Sequence, residues 1–169
     1  NCHWAGMGHA TAGDQAASAS VVLTGDGENT FIRNIIGLDT IARSTTNAEI
    51  GLKTAAVRNR FIDCDIVTFA DNAGHLFVKA GTSGDLDRFT IFEKCRFINA
   101  VASTATTMTA AMSVHASAGG MIVVHDCMLI GATDWTAADD TNVYLYGPNP
   151  GDASGAKLNT GIAHTVDVA

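Results

Sequence analysis

Arg58-Asn59-Arg60-Phe61-Ile62-Asp63-Cys64-Asp65-Ile66 decides how the chain is to be read, because its opening pattern returns through the sequence. A small polar or thiol residue, any residue and then a large apolar one also occur in Asn1-Cys2-His3-Trp4, Glu28-Asn29-Thr30-Phe31-Ile32, Lys94-Cys95-Arg96-Phe97-Ile98 and Asp126-Cys127-Met128-Leu129-Ile130. Alignment on the large apolar residue gives a column of Trp4, Phe31, Phe61, Phe97 and Leu129. Cys2, Asn29, Asn59, Cys95 and Cys127 then stand two places earlier, and the steps between copies are 27, 30, 36 and 32 residues. Five copies at such a period predict a repeat fold in which no single unit buries its own apolar face.

A second apolar column falls at Val22, Leu52, Val78, Val114 and Leu145, and a third run appears as Phe89-Thr90-Ile91-Phe92 and Met121-Ile122-Val123-Val124. Two or three short strands per unit, separated by Gly, Asn, Asp and Ser, predict an all-β parallel solenoid of about five coils. Stacked coils place equivalent residues about 4.8 Å apart, so each inward position becomes a ladder. In that ladder a thiol acts as a small hydrophobe, and Asn can bond turn backbone.

The coils are expected to occupy residues 1–146. They are also expected to continue from residues before Asn1, since the first motif opens the chain and a bare sheet edge invites pairing. Gly147-Pro148-Asn149-Pro150-Gly151 is expected to end the regular stack, because proline cannot donate to a ladder. Residues 147–169 then form a capping or interaction tail with the alternating segment Ile162–Val168. The best helical candidate, Thr107–Val114, is weakened by its threonines, and residues 100–111 read as the longest loop.

Composition narrows the function. The 169 residues carry 10 Lys and Arg against 17 Asp and Glu, a net charge of −7. The basic residues are scattered, which argues against displacing counterions from nucleic acid. No apolar run reaches the length of a membrane span, and no cofactor motif is present. The glycines of Gly25-Asp26-Gly27 lack the Lys-Ser/Thr and strand-to-helix context of a nucleotide loop.

The segments Asn59-x-Phe61-Ile62-x-Cys64-x-Ile66 and Cys95-x-Phe97-Ile98-Asn99 resemble the coils of right-handed parallel β-helix proteins of the pectin-lyase-like superfold. With the stretch Gly37–Asn47, the composition also resembles virion proteins of tailed bacteriophages. The resemblance implies a structural component of the particle assembled in the host cytoplasm, a capsid decoration or cement protein. It further implies a homotrimer contacting other capsid or tail proteins. The alternatives are a tail fibre or spike module that binds host glycans, and a polysaccharide lyase or hydrolase.

A fold that hosts both enzymes and inert spikes requires the function to be argued from a site. Asp63 and Asp65, with Arg60 and Arg96 from the same and the next coil, are the candidate catalytic residues. Each aligned register holds at most one carboxylate, which does not give stacked acid pairs at glycosidase spacing. Surface ion pairs are the simpler reading, at about 0–1 kcal/mol each. Trp135 and Tyr146, with Tyr144, are the candidates for stacking on sugars. The six histidines lack metal-ligand spacing, although His3 and His9 could meet across a loop. Cys95 and Cys127 are expected on adjacent rungs as free thiols, with a disulfide the lesser possibility. The balance favours a protein without catalysis.

Overall fold

A computed structural model describes residues 2–5, 21–23, 27–37, 48–52, 58–69, 74–80, 89–100, 108–114, 121–136, 143–147 and 151–152. Among them there is no helix; sixteen strands form three parallel sheets. Sheet A holds β1 (Cys2–Ala5), β3 (Asn29–Ile32), β6 (Asn59–Ile62), β9 (Thr90–Glu93), β12 (Ile122–His125) and β15 (Val143–Tyr146), in that spatial order. Sheet B runs β4 (Ile35–Gly37), β7 (Asp65–Thr68), β10 (Arg96–Asn99), β13 (Met128–Ile130) and β16 (Gly151–Asp152). Sheet C runs β2 (Val21–Leu23), β5 (Ala48–Leu52), β8 (Leu76–Ala80), β11 (Met108–Val114) and β14 (Ala132–Thr136). From β3 onward the described strands visit A, B and C in turn, and every pairing is parallel between one visit and the next. Three all-parallel sheets of this kind are consistent with the expected parallel β-solenoid.

Parallel in-register pairing makes like stack on like. Phe31 pairs with Phe61 and Phe61 with Phe92. Their ring centroids lie 4.6 and 4.7 Å apart at interplanar angles of 4° and 14°, close to the roughly 4.8 Å strand spacing. Val124 and Leu145 continue that file. Sheet B contributes Ile36, Ile66, Phe97 and Leu129. Phe97 is the meeting point of the sheets, edge-on to Phe92, Phe77 and Trp135 at 5.3, 5.6 and 5.4 Å. The result is a single apolar core, filled by side chains from all three sheets.

The registers revise several expectations. The single aromatic column is two ladders, with Trp4, Phe31 and Phe61 on sheet A and Phe97 and Leu129 on sheet B. The anomalous 36-residue step from Phe61 to Phe97 is the 31-residue pitch to Phe92 plus five residues around the A–B corner. The polar column divides the same way. Cys2, Asn29 and Asn59 pair on sheet A, whereas Cys95 and Cys127 sit at the A–B corner beneath Asn34 and Cys64.

In the second column, Leu52 and Val114 share a rung set with Ala80, but Val78 lies with Ile50 and Met112, and Leu145 belongs to sheet A. Met108–Val114 is a strand where a loop and the best helical candidate were expected. Methionine and alanine fill the core there, so packing overrides helical propensity. The ladder also does not end at Gly147–Gly151: β16 pairs Gly151 and Asp152 with Leu129 and Ile130. Beyond Asp152 the tail, including Ile162–Val168, lies outside the described residues.

Phe61 is fully buried between two parallel rings. Phe61→Ala is expected to lower the unfolding free energy by about 3–5 kcal/mol in urea titration. Tyr146→Ala, at a residue that is 59% exposed, is expected to change it by no more than about 0.5 kcal/mol.

Candidate functional site

The candidate catalytic residues cluster where sheet A turns into sheet B. Each turn there places one residue in the left-handed region: Arg33, Asp63, Lys94 and Asp126 at φ 53–55°, and Gly147 at 73°. For a residue with a Cβ that conformation costs about 1 kcal/mol. The corner is held by backbone bonds between rungs: Arg33 N–H to the Ile62 carbonyl at 3.0 Å, and Asp63 N–H to that of Glu93 at 2.9 Å. Lys94 N–H donates to the His125 carbonyl at 2.9 Å, and Asp126 N–H to that of Tyr146 at 3.1 Å. The exposed side chains at these positions therefore project from a fixed backbone.

All four candidates are engaged in ion pairs between rungs. Arg96 grips Asp65 through both Nε and Nη2, the latter 2.9 Å from Asp65 Oδ2. This hydrogen bonding, reinforced by the charge, raises the Arg96 guanidinium further above its ordinary value. Arg33 Nε lies 3.3 Å from Asp63 Oδ2, and Arg60 Nη2 lies 3.4 Å from Glu93 Oε2. Asp63 and Asp65 thus point along the stack to different cations and converge on no common centre. Each is held as a rung by the guanidinium group of an adjacent coil, which leaves the two without a shared substrate position.

The aromatic candidates part company. Trp135 is 1% exposed, inside the core against Phe97. The expectation that it stacks on a ligand is overturned, because β14 turns it inward in the ladder that carries Phe77 and Ala111. Tyr144 and Tyr146 do face outward from β15.

Beneath the same corner lies a ladder that the motif alignment missed: Asn34, Cys64, Cys95 and Cys127, all buried. None of the three cysteines is in a disulfide. Each donates back to a carbonyl of the preceding rung: Cys64 to Phe31 at 3.5 Å, Cys95 to Phe61 at 3.4 Å and Cys127 to Phe92 at 3.5 Å. Cys95 N–H also donates to Cys127 Sγ at 3.3 Å. The thiols therefore close hydrogen bonds that an aliphatic residue would leave open. The signal was present in the near-equal spacing of Cys64, Cys95 and Cys127.

The second missed group is polar and wholly interior. Glu49 occupies the sheet C rung whose later members are Phe77, Ala111 and Trp135, and it is 1% exposed. Its Oε1 lies 3.4 Å from Nε2 of the buried His75, which also lies 3.3 Å from Thr68 Oγ1. His75 Nδ1 has no partner among the described residues. Gly37, at φ 90°, makes room for this carboxylate, since a Cβ there would fall 2.0 Å from the Val67 carbonyl oxygen and 3.0 Å from Glu49 Oε2.

A hydroxyl, an imidazole and a carboxylate invite comparison with a nucleophile triad. However, hydroxyl and carboxylate meet the same nitrogen here, so the imidazole cannot pass a proton from one side while being held from the other.

Among the described residues no group of three or more His, Cys, Asp or Glu is placed to hold a metal. The His3 and His9 pair lies outside what is described of the side chains. No protein-family model, curated protein or solved structure matches the chain.

Two outcomes test this account. Cys64 is pushed well above the ordinary thiol value of 9.0, first by its hydrogen bond with Cys95 and then by burial; Cys95 is raised first by burial and then by Cys127. The unfolded thiols lose protons above pH 9 while the folded ones keep them. Stability contributed by these groups is therefore complete below that pH and falls above it, by about 1.4 kcal/mol per pH unit for each thiol. Denaturant titrations from pH 7 to 10.5 should show the decline, and a Cys64→Ala/Cys95→Ala protein should show a shallower one. For the interior pair, His75→Ala or Glu49→Ala is expected to cost about 3–5 kcal/mol. Glu49→Leu with His75→Phe together should cost far less than the sum, as read from a double-mutant cycle.

Proposed function

We propose that the three sheets wind as a right-handed parallel β-helix, and that the protein is a non-enzymatic structural component of a tailed-phage particle, acting as a capsid decoration or cement. The hand rests on the near-universal right-handedness of crossovers between parallel strands of one sheet. The structural role rests on one observation. The carboxylates that would serve a lyase or hydrolase are held as rungs of an external ion-pair ladder, Asp65 to Arg96 and Asp63 to Arg33.

A solid core leaves the outer faces as the surfaces available for contact. These carry exposed Ile35, Met128 and Ile130 on sheet B, and Ile32, Tyr144 and Tyr146 on sheet A. Such a body suits a rigid spacer or clamp, whose stability comes from neighbour-to-neighbour stacking. The particle itself is suggested by the sequence resemblance carried by the coil motifs and by Gly37–Asn47.

Tyr144 and Tyr146, two apart on the outer side of β15, favour a second reading, a glycan-binding spike. Aromatic faces stack on the apolar faces of sugars, and two such rings on one strand make a platform.

Antibody labelling of purified particles is the test. Label on the head, with particles lacking the protein losing their contents at lower temperature, is the expected outcome. Label on the tail, with glycan binding abolished by Tyr146→Ala, would favour the spike. Polysaccharide turnover that disappears in Asp65→Ala would overturn the non-enzymatic reading.

A further inference from the structure

The outer side of sheet B and the corner beside it carry two ladders whose residue order determines what they fit. At the corner, Arg33, Asp63, Lys94 and Asp126 stand one rung apart, so the sign of charge alternates along the stack. Two positions along the chain, Ile35, Asp65, Arg96 and Met128 stand in register as apolar, negative, positive, apolar. Ile35 and Met128 are 39% and 42% exposed, and the Arg96 side chain is 52% exposed.

Both orders are self-complementary under one operation. A twofold axis parallel to the strands of sheet B, passing between the rungs of Asp65 and Arg96, reverses the order of rungs and leaves each position along the strand unchanged. It brings Ile35 of one copy onto Met128 of the other and Asp65 onto Arg96. At the corner, Arg33 meets Asp126 and Asp63 meets Lys94. A twofold along the stack would instead set Asp65 against Asp65 and Arg96 against Arg96.

We propose that this face joins two copies of the chain, their stacks running in opposite directions. The contact is isologous, as closed dimers require. The existing pairs of Asp65 with Arg96 and of Asp63 with Arg33 lie in the face, so each becomes half of a square of alternating charge. The contact is narrow and polar, and it weakens with salt, because the screening length falls to about 3 Å at 1 M. The inference needs only the order of the rungs and stands apart from the assignment to a phage particle.

Sedimentation of the full chain at low salt and at about 1 M salt is the first measurement. A species of twice the 17.5 kDa chain mass that dissociates at high salt is expected. A monomer at low salt, or a trimer, overturns the proposal.

Ile35→Cys with Met128→Cys supplies a geometric test. Within one copy these residues are three rungs apart, about 14 Å at roughly 4.8 Å per rung, and a disulfide needs Cα atoms within about 7 Å. Mild oxidation is therefore expected to give a covalent dimer, and failure to do so counts against the face. Arg96→Asp should dissociate the dimer, and Asp65→Arg with Arg96→Asp should restore it, since the exchanged order is again self-complementary. Arg96→Asp also removes a pair within the chain. Met128→Arg, at an exposed site, therefore serves as the second disruption, expected to weaken association at least about tenfold with an unchanged circular dichroism spectrum. A dimer indifferent to Met128→Arg sinks the proposal.

Discussion

Parallel pairing of each strand with its counterpart one turn later is the constraint from which the rest follows. It holds equivalent positions one strand spacing apart, and whatever occupies a position is forced against its own equivalents. Three phenylalanines become a stack of nearly parallel rings, three thiols become a hydrogen-bonded ladder, and Asn29 donates through its amide to Asn59 at 2.9 Å. On the outer side the same constraint makes like charges costly. The corner avoids that cost by alternating Arg33, Asp63, Lys94 and Asp126.

The interior is not uniform along the stack. From β3 onward this register of sheet A holds asparagine at Asn29 and Asn59, and passes through Thr90 to Ile122 and Val143. The Asn59 amide nitrogen and the Thr90 hydroxyl are buried without partners among the described residues, at the step where the asparagine ladder stops. On sheet C the polar rung is Glu49, paired with His75 and followed by Phe77, Ala111 and Trp135. The polar interior of sheets A and C thus lies in the earlier coils, beside the Phe31–Phe61 stack. A buried charged or polar rung tolerates few alternative neighbours, so these early positions are suited to fixing the register of the stack.

The candidate site dissolves for the same reason that the fold is stable. Asp63 and Asp65 are two residues apart in sequence and read as a pair. The corner between them turns the chain, leaving each carboxylate beside a different cation from an adjacent rung. Tyr144, Tyr146, Met128 and Ile130 carry apolar surface outward, whereas the acids serve cohesion.

By itself the sequence determined the class of structure: short strands of period two, bounded by turn residues and repeating near thirty positions, leave a parallel all-β stack as the arrangement that buries every apolar column. It also made ion pairs of Asp63 and Asp65 with arginines of adjacent coils legible, without deciding which arginine each acid meets. Only the tertiary structure decided which column belongs to which sheet. Asn-x-Phe at Asn59 and Cys-x-Phe at Cys95 look alike in one dimension, yet one lies in a strand and the other straddles a corner. It also decided that Trp135 points inward, because the facing of a side chain depends on where the strand bends, and that Glu49 meets His75 in the core. Those facts depend on bends and crossovers, which a linear pattern of residue types does not encode.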